Sequence, residues 1–276
     1  MRKMYIQNHD PIKGAGKWIY EGYKKAWESL GYECVYYRGS TEELIQMANY
    51  KAYSIEYSIM ITDAMYSTWK KTNNLDSDIF KKAMVEAKNI YMFAQPTHFP
   101  KPWGNHPNFK SFCTREEIQE INSLDNTKLW SFADINKEYF PLWKHIETIP
   151  LAFDNISYEY LEDDKYKFDV CFVGGRANNG FDEKYSIMMK HFSAFKDSGL
   201  KCGFFIGKNL THEQENKILY NSKVSINIHD AYQRKLGLDT NERTFKSLGL
   251  TGVLVSDKIG QLNNFFPDVK TTNDAK

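Results

Sequence analysis

The first 37 residues decide the fold class. Residues 1–7 (MRKMYIQ) read as a strand, and the glycine-containing stretch NHDPIKGAG follows it. Trp18, Ile19, Gly22, Tyr23, Ala26, Trp27 and Leu30 then recur at helical spacing, Gly31 ends the helix, and Glu33 to Tyr37 (ECVYY) reads as a second strand. Strand, helix and strand in so short a span make a βαβ unit, which calls for parallel strands and a right-handed crossover.

The alternation continues with a helix near 41–49, a strand near 57–62 (YSIMIT), a helix over about 77–88 and a strand at 89–94 (NIYMFA). Each strand is short and apolar, as buried parallel strands are. Residues 95–108 are rich in Pro, Gly and His, and short helical pieces alternate with strands up to Ile149-Pro150-Leu151. A second series starts at Phe168: the strand KFDVCFVGG, a helix from Glu183 to Asp197, the strand LKCGFFIG, a helix near 211–220, the strand KVSINIH, a helix around 241–249 and the strand VLVSD. The expected fold is α/β, with two Rossmann-like domains, 1–150 and 151–276, facing a cleft. With 276 residues, 42% of them hydrophobic, the chain can bury two modest cores. Glu162, Asp163 and Asp164 read as a solvated stretch between the two series.

Thirty-six Lys and Arg against 35 Asp and Glu leave a charge of +1, so no global field favours a polyanion, and any anion must be held by a local site. The four cysteines, Cys34, Cys113, Cys171 and Cys202, form no CxxC and no zinc-finger spacing, which points to a reducing, cytoplasmic setting. No signal-peptide core follows the first residues, and no apolar run approaches the roughly 18 to 20 residues of a membrane span.

Gly14-Ala15-Gly16 precedes a helix, as phosphate-binding loops do. Ile19 stands where a dinucleotide fingerprint needs a small residue, and no Walker pattern is present, so a tight βα turn is the simpler reading. Asp76-Ser77-Asp78 resembles a metal-holding Asp-x-Asp, but it precedes DIFKKAMVEA and reads as a helix cap. No metal is expected. The strongest constellation lies between 168 and 257. Gly174, Gly175 and Arg176 end one strand, Lys208 follows the next, and Asn227 and His229 end a third. Asn241, Glu242, Arg243 and Thr244 open a helix. Polar and cationic residues recurring at one sheet edge suit a diphosphate and a sugar.

DVCFVGG, SKVSINIH and NERTFKSLGLTGVLVSD, in that order, resemble the C-terminal donor domain of GT-B fold glycosyltransferases, notably the group 1 and spore-maturation-type (CgeB-like) branch. The resemblance covers roughly 165–266. It implies a metal-independent glycosyltransferase using a UDP-, GDP- or TDP-sugar as co-substrate, without a bound cofactor. Gly174 and Gly175 would lie beside the donor diphosphate, Arg176 and Lys208 would neutralise it, and Asn241, Arg243 and Thr244 would line the pocket. Lys246 stands where many members carry a Glu that holds the ribose, and Glu242 or Asp239 would substitute for it. A base for an inverting transfer would come from the N-terminal half, where His9, Asp10, Asp63 and His98 follow strands. Asp63 and His98 are the preferred catalytic candidates, and Trp103 and Tyr66 could stack on a sugar or base.

The acceptor class stays open among glycan, protein, small molecule and a modified DNA base. Lys70, Lys71, Lys81 and Lys82 form the basic patch that a DNA acceptor would need. A non-catalytic nucleotide or nucleotide-sugar binding protein of the same fold is a further alternative, and an epimerase is another.

Overall fold

The computed structural model describes residues 2–7, 15–38, 40–72, 77–101, 104, 113–176 and 183–274. The chain divides into two compact units: Met1–Ser131 with Ile135–Ile149, and Phe132–Asp134 with Pro150–Lys276.

Unit 1 carries a six-stranded sheet of β1 (Arg2–Gln7), β2 (Glu33–Tyr37), β3 (Glu56–Thr62), β4 (Ile90–Phe93), β5 (Thr127–Ser131) and β6 (Ile146–Thr148). The strand order is β2-β1-β3-β4-β5-β6, and every neighbouring pair is parallel. Its helices are α1 (Ala15–Ser29), α2 (Thr41–Asn49), α3 (Asp63–Thr72), α4 (Ser77–Glu86) and α5 (Arg115–Asn122). Residues 57–61 of β3 are all buried, the continuous pattern of a strand covered on both faces. Two helices start on reciprocal caps, Ser40 with Glu43 and Thr114 with Glu117.

Helix α3 is an addition to the elements expected from the sequence. It springs from β3 without a loop, so no turn residues announce it. The Asp63 carboxylate accepts from the Ala64 N–H, and the Thr62 hydroxyl accepts from the Met65 N–H, which supplies the cap from within the junction. Helix α4 ends at Glu86, before the expected 88, and the Lys88 N–H already donates to the Tyr57 carbonyl.

Unit 2 contains β7 (Phe168–Gly174), α6 (Glu183–Ser193), β8 (Cys202–Ile206), α7 (His212–Tyr220), β9 (Ser222–Asn227), α8 (Ala231–Leu236), α9 (Glu242–Leu250), β10 (Leu254–Ser256), α10 (Gly260–Phe265) and β11 (Lys270–Thr271). The strand order is β11-β10-β9-β7-β8, again all parallel. In both units the sheet order reverses direction at an interior strand, so both are doubly wound, Rossmann-like sheets. Side chains of β7 alternate between two clusters. Cys171 and Val173 pack with Ile218, Leu219 and Leu250 of α7 and α9, while Val170 and Phe172 pack with Met188 and Phe192 of α6. Helix α6 stops at Ser193, short of Asp197. Helix α8 is a second addition: it has six residues, and Gly237 closes it in the left-handed region at φ 70°.

Unit 2 takes Phe132–Asp134 from the middle of unit 1's sequence. The Asp134 N–H donates to the Leu238 carbonyl at 2.7 Å. The Gln261 side-chain amide donates to the Phe132 carbonyl at 2.7 Å and to the Asp134 carboxylate at 3.0 Å, while its oxygen accepts from the Thr240 N–H. Among the described residues, no helix is long and apolar enough to cross a membrane.

Candidate functional site

A doubly wound sheet opens at the carboxyl ends of the two strands where its order reverses. In unit 2 those strands are β7 and β9. Their pairing runs from Phe168↔Ser222 to Cys171↔Ser225 and then stops, leaving the last residues of both strands apart. Arg243, the second residue of α9 and only 6% exposed, fills the gap. Its Nε donates to the Val173 carbonyl at 2.5 Å, and its Nη1 donates to Asn227 Oδ1 at 2.8 Å and to the Ile228 carbonyl at 3.4 Å. The guanidinium lies over the Phe172 ring, 4.9 Å from its centroid. Gly174 is there because nothing larger fits: a Cβ would strike Arg243 Nη2 and come within 2.6 Å of Cζ. Among the described residues, Nη2 has no hydrogen-bond partner and no carboxylate stands within ion-pair distance of the guanidinium. A buried guanidinium with one N–H edge left unbonded can hydrogen-bond an anion.

Asn227, His229, Asn241 and Thr244 converge on this arginine. Asn227 Nδ2 donates to Thr244 Oγ1 at 2.9 Å and to Asn241 Oδ1 at 3.0 Å, and Asn241 Nδ2 donates to Asn227 Oδ1 at 3.3 Å. His229, fully buried, lies 2.6 Å through Nδ1 from Asp257 Oδ1 and 2.7 Å through Nε2 from Thr240 Oγ1. Asp257 closes the strand run VLVSD and Thr240 precedes the helix start, standing 28 and 11 residues from His229, and neither is among the site residues expected from the sequence.

Further charges surround the gap. Lys184, 5% exposed, is bonded to Asp230 at 2.6 Å. Burial, and next the Arg243 charge, lower its pKa. For Glu242, burial works to raise the pKa, but Lys246, Arg243 and Lys184 together hold it below the usual carboxylate range. Lys246 is bonded to Glu215 at 2.7 Å, with Glu242 at 4.0 Å, and is buried. Burial raises the pKa of Asp239, whose carboxylate accepts from Gln233 Nε2 at 2.7 Å. Gly175, Arg176 and Lys208 are exposed. Arg176 lies 5.6 Å from the Tyr185 ring centroid. Lys208 follows Gly207, whose φ of 60° turns the chain at the end of β8 while its N–H donates to the Gly174 carbonyl at 2.8 Å.

Unit 1 treats its own gap differently. Pairing of β1 with β3 ends at Ile6↔Met60, and the neutral side-chain oxygen of Gln7 bridges onward to the Thr62 N–H at 2.8 Å. Asp63, 1% exposed, accepts from the Ala64 N–H at 2.7 Å and from the Gln95 N–H at 3.0 Å. Burial pushes its pKa up to about 6 against the pull of those N–H groups. His98 is exposed, its N–H bonded to the Tyr139 carbonyl, and no hydrogen bond joins it to Asp63. Tyr66 is buried in the core, edge-on to Phe80. Lys70 is paired with Glu120, and Lys71 reaches the Ser67 hydroxyl at 2.7 Å and Glu117 at 4.0 Å. His9, Asp10, Gly14, Asp76 and Trp103 lie outside the described residues. Among the described residues, no three His, Cys, Asp or Glu side chains gather as metal ligands.

No protein-family model matches the chain, and no curated protein matches it either.

Proposed function

We propose that unit 2 binds the diphosphate of a nucleotide sugar and that the protein is a glycosyltransferase of GT-B type. The observation that carries this reading is the Nη2 edge of Arg243 at the β7/β9 gap, which faces Gly174 and, among the described residues, has no hydrogen-bond partner and no carboxylate within ion-pair distance. A departing diphosphate needs fixed positive charge that requires no reorganisation as the bond breaks. Arg243 supplies it from a buried position, and the exposed Arg176 and Lys208 add mobile charge near the strand ends. The part-exposed amide of Asn241 and carboxylate of Glu242 are hydrogen-bonding groups suited to sugar hydroxyls, while the buried Asn227 amide is taken up by Thr244, Asn241 and Arg243. In unit 1, Asp63 is the preferred base, since a pKa of about 6 keeps it mostly ionised at neutral pH yet able to hold a proton.

The test is a calorimetric titration with UDP-, GDP- and TDP-sugars, followed by a transfer assay over glycan, protein, small-molecule and DNA acceptors. One donor family should bind, and Arg243→Lys, which keeps the charge but loses the fork, should weaken it by about tenfold or more. If no donor binds, or if the variant binds as well as the parent, the reading fails. A donor that binds but is never turned over supports a nucleotide-sugar binding protein instead.

A further inference from the structure

We propose that Asp257 and His229 are positioning residues of the Arg243 site, acting through Thr240 and Thr244 to fix which end of the Asn227 amide faces Arg243. The proposal rests on the reading of Arg243 as the anion receptor.

Asp257 accepts the backbone N–H of His229 on both oxygens, at 3.1 and 3.2 Å, and the Ser256 hydroxyl at 3.3 Å, with Arg234 Nε 3.9 Å away. Burial works to raise its pKa, but the hydrogen bonds from the His229 ring and backbone N–H, with help from Arg234, hold it below the usual range. As an ionised carboxylate it can only accept, so His229 Nδ1 carries the proton. In the neutral ring Nε2 is the acceptor, which suits both of its neighbours: the Thr240 hydroxyl at 2.7 Å and the Asn227 Nδ2 donor at 3.3 Å. With its hydrogen committed to His229, Thr240 Oγ1 accepts from the Thr244 hydroxyl at 2.6 Å. Thr244 Oγ1 in turn accepts from Asn227 Nδ2 at 2.9 Å. The NH₂ end of Asn227 is thereby committed to this chain, and its oxygen is left to take Arg243 Nη1 at 2.8 Å.

The chain has one consistent direction. A proton on Nε2 would point two donors at each other, Nε2–H and the Asn227 NH₂ 3.3 Å away, and relieving that clash turns the amide so that its NH₂ meets the guanidinium. Arg243 would then lose the Nη1 bond that helps hold its guanidinium beside Gly174. The same logic makes an Asp-to-Asn change next to a catalytic histidine costly through the wrong tautomer.

The experiment uses the full chain, labelled with ¹⁵N and free of ligand. Long-range ¹H–¹⁵N spectra should show His229 with Nδ1 protonated and Nε2 bare. Two variants are compared with the parent: Thr240→Val keeps the shape and removes the hydroxyl, and Thr240→Ser restores it. In Thr240→Val the Arg243 Nε–H resonance should move, and the dissociation constant for inorganic pyrophosphate should rise about tenfold. In Thr240→Ser the resonance should stay, and the constant should hold within about twofold. A proton on Nε2 in the parent, an unmoved Arg243 resonance in Thr240→Val, or equal binding by the two variants overturns the proposal. If the parent binds no pyrophosphate, the anion reading falls, while the ligand-free resonances still decide the positioning. If Thr240→Val does not fold, the parent's tautomer decides.

Discussion

Gly174→Ala is the sharpest test of the strand-gap geometry. A glycine at the end of a strand is ordinarily improved by Ala, by roughly 0.5–1 kcal/mol, through a less flexible unfolded chain. Here the added methyl would strike Arg243 Nη2 and sit 2.6 Å from Cζ and 2.8 Å from Nε. Reaching an ordinary contact of 3.4 Å from 2.6 Å requires the guanidinium carbon to withdraw by about 0.8 Å. It cannot withdraw intact, because Nε is held at 2.5 Å by the Val173 carbonyl and Nη1 at 2.8 Å by Asn227. Hydrogen bonds to a charged group contribute about 1.5–3 kcal/mol each, and water entering the gap restores part of that, so the net cost should be about 2–4 kcal/mol. Urea unfolding followed by circular dichroism measures it. The control is a double-mutant cycle with Arg243→Met, in which the methyl has no guanidinium to strike and should cost less than about 0.5 kcal/mol. A Gly174→Ala penalty of the same size in both backgrounds, or a stabilised single variant, would refute the packing argument.

Other outcomes follow from the same contacts. Asp63 has a native pKa of about 6 against an ordinary 3.8, so the folded state takes up its proton first and the stability this group confers is fully present below about pH 4. That stability should fall by about 3 kcal/mol as pH rises through about 6, and Asp63→Asn should flatten this slope in unfolding measured from about pH 4 to 7.5. Removing one partner of the buried Lys246–Glu215 pair, as in Lys246→Met, should cost about 3–5 kcal/mol, whereas replacing both by apolar residues should cost much less; a larger loss in the double variant would contradict this. Arg176→Ala and Lys208→Ala, at exposed positions, should leave stability within about 0.5 kcal/mol while lowering affinity for the diphosphate ligand, which a thermal melt and a titration separate.

Much of the fold is legible in the sequence because parallel strands buried on both faces leave short apolar runs, and the glycine at 31 and the polar starts of α2 and α7 punctuate them. The exceptions share a cause: the signal is a contact rather than a pattern. Helix α3 follows β3 without a turn residue, and Asp63, which reads as a loop group after a strand, is its first residue and caps it. Helix α8 has too few residues to show a period. Within the site, Arg243, Asn227, Asn241 and Thr244 are recognisable as residue types at a strand end and a helix start. Nothing in their spacing says that Arg243 plugs a gap in the sheet, or that Gly174 is required by that plug. Asp257 and Thr240 enter through side-chain bonds spanning 28 and 11 residues, which no local window contains. Lys184 reads like a surface lysine on a helix and is buried against Asp230.

The strip Phe132–Asp134 has a bearing on how this protein is made and how it can be taken apart. Gln261 finds its acceptor on Phe132, 129 residues earlier in the chain. During synthesis that carbonyl leaves the ribosome long before its donor exists, so the strip has to wait while the remainder of unit 1 and nearly all of unit 2 are translated. A gene cut at codon 150 would separate the two, leaving Gln261 with a buried amide and nothing to donate to, whereas a cut at codon 132 would carry both. Exchange of unit 2 between related chains would have to respect the same seam.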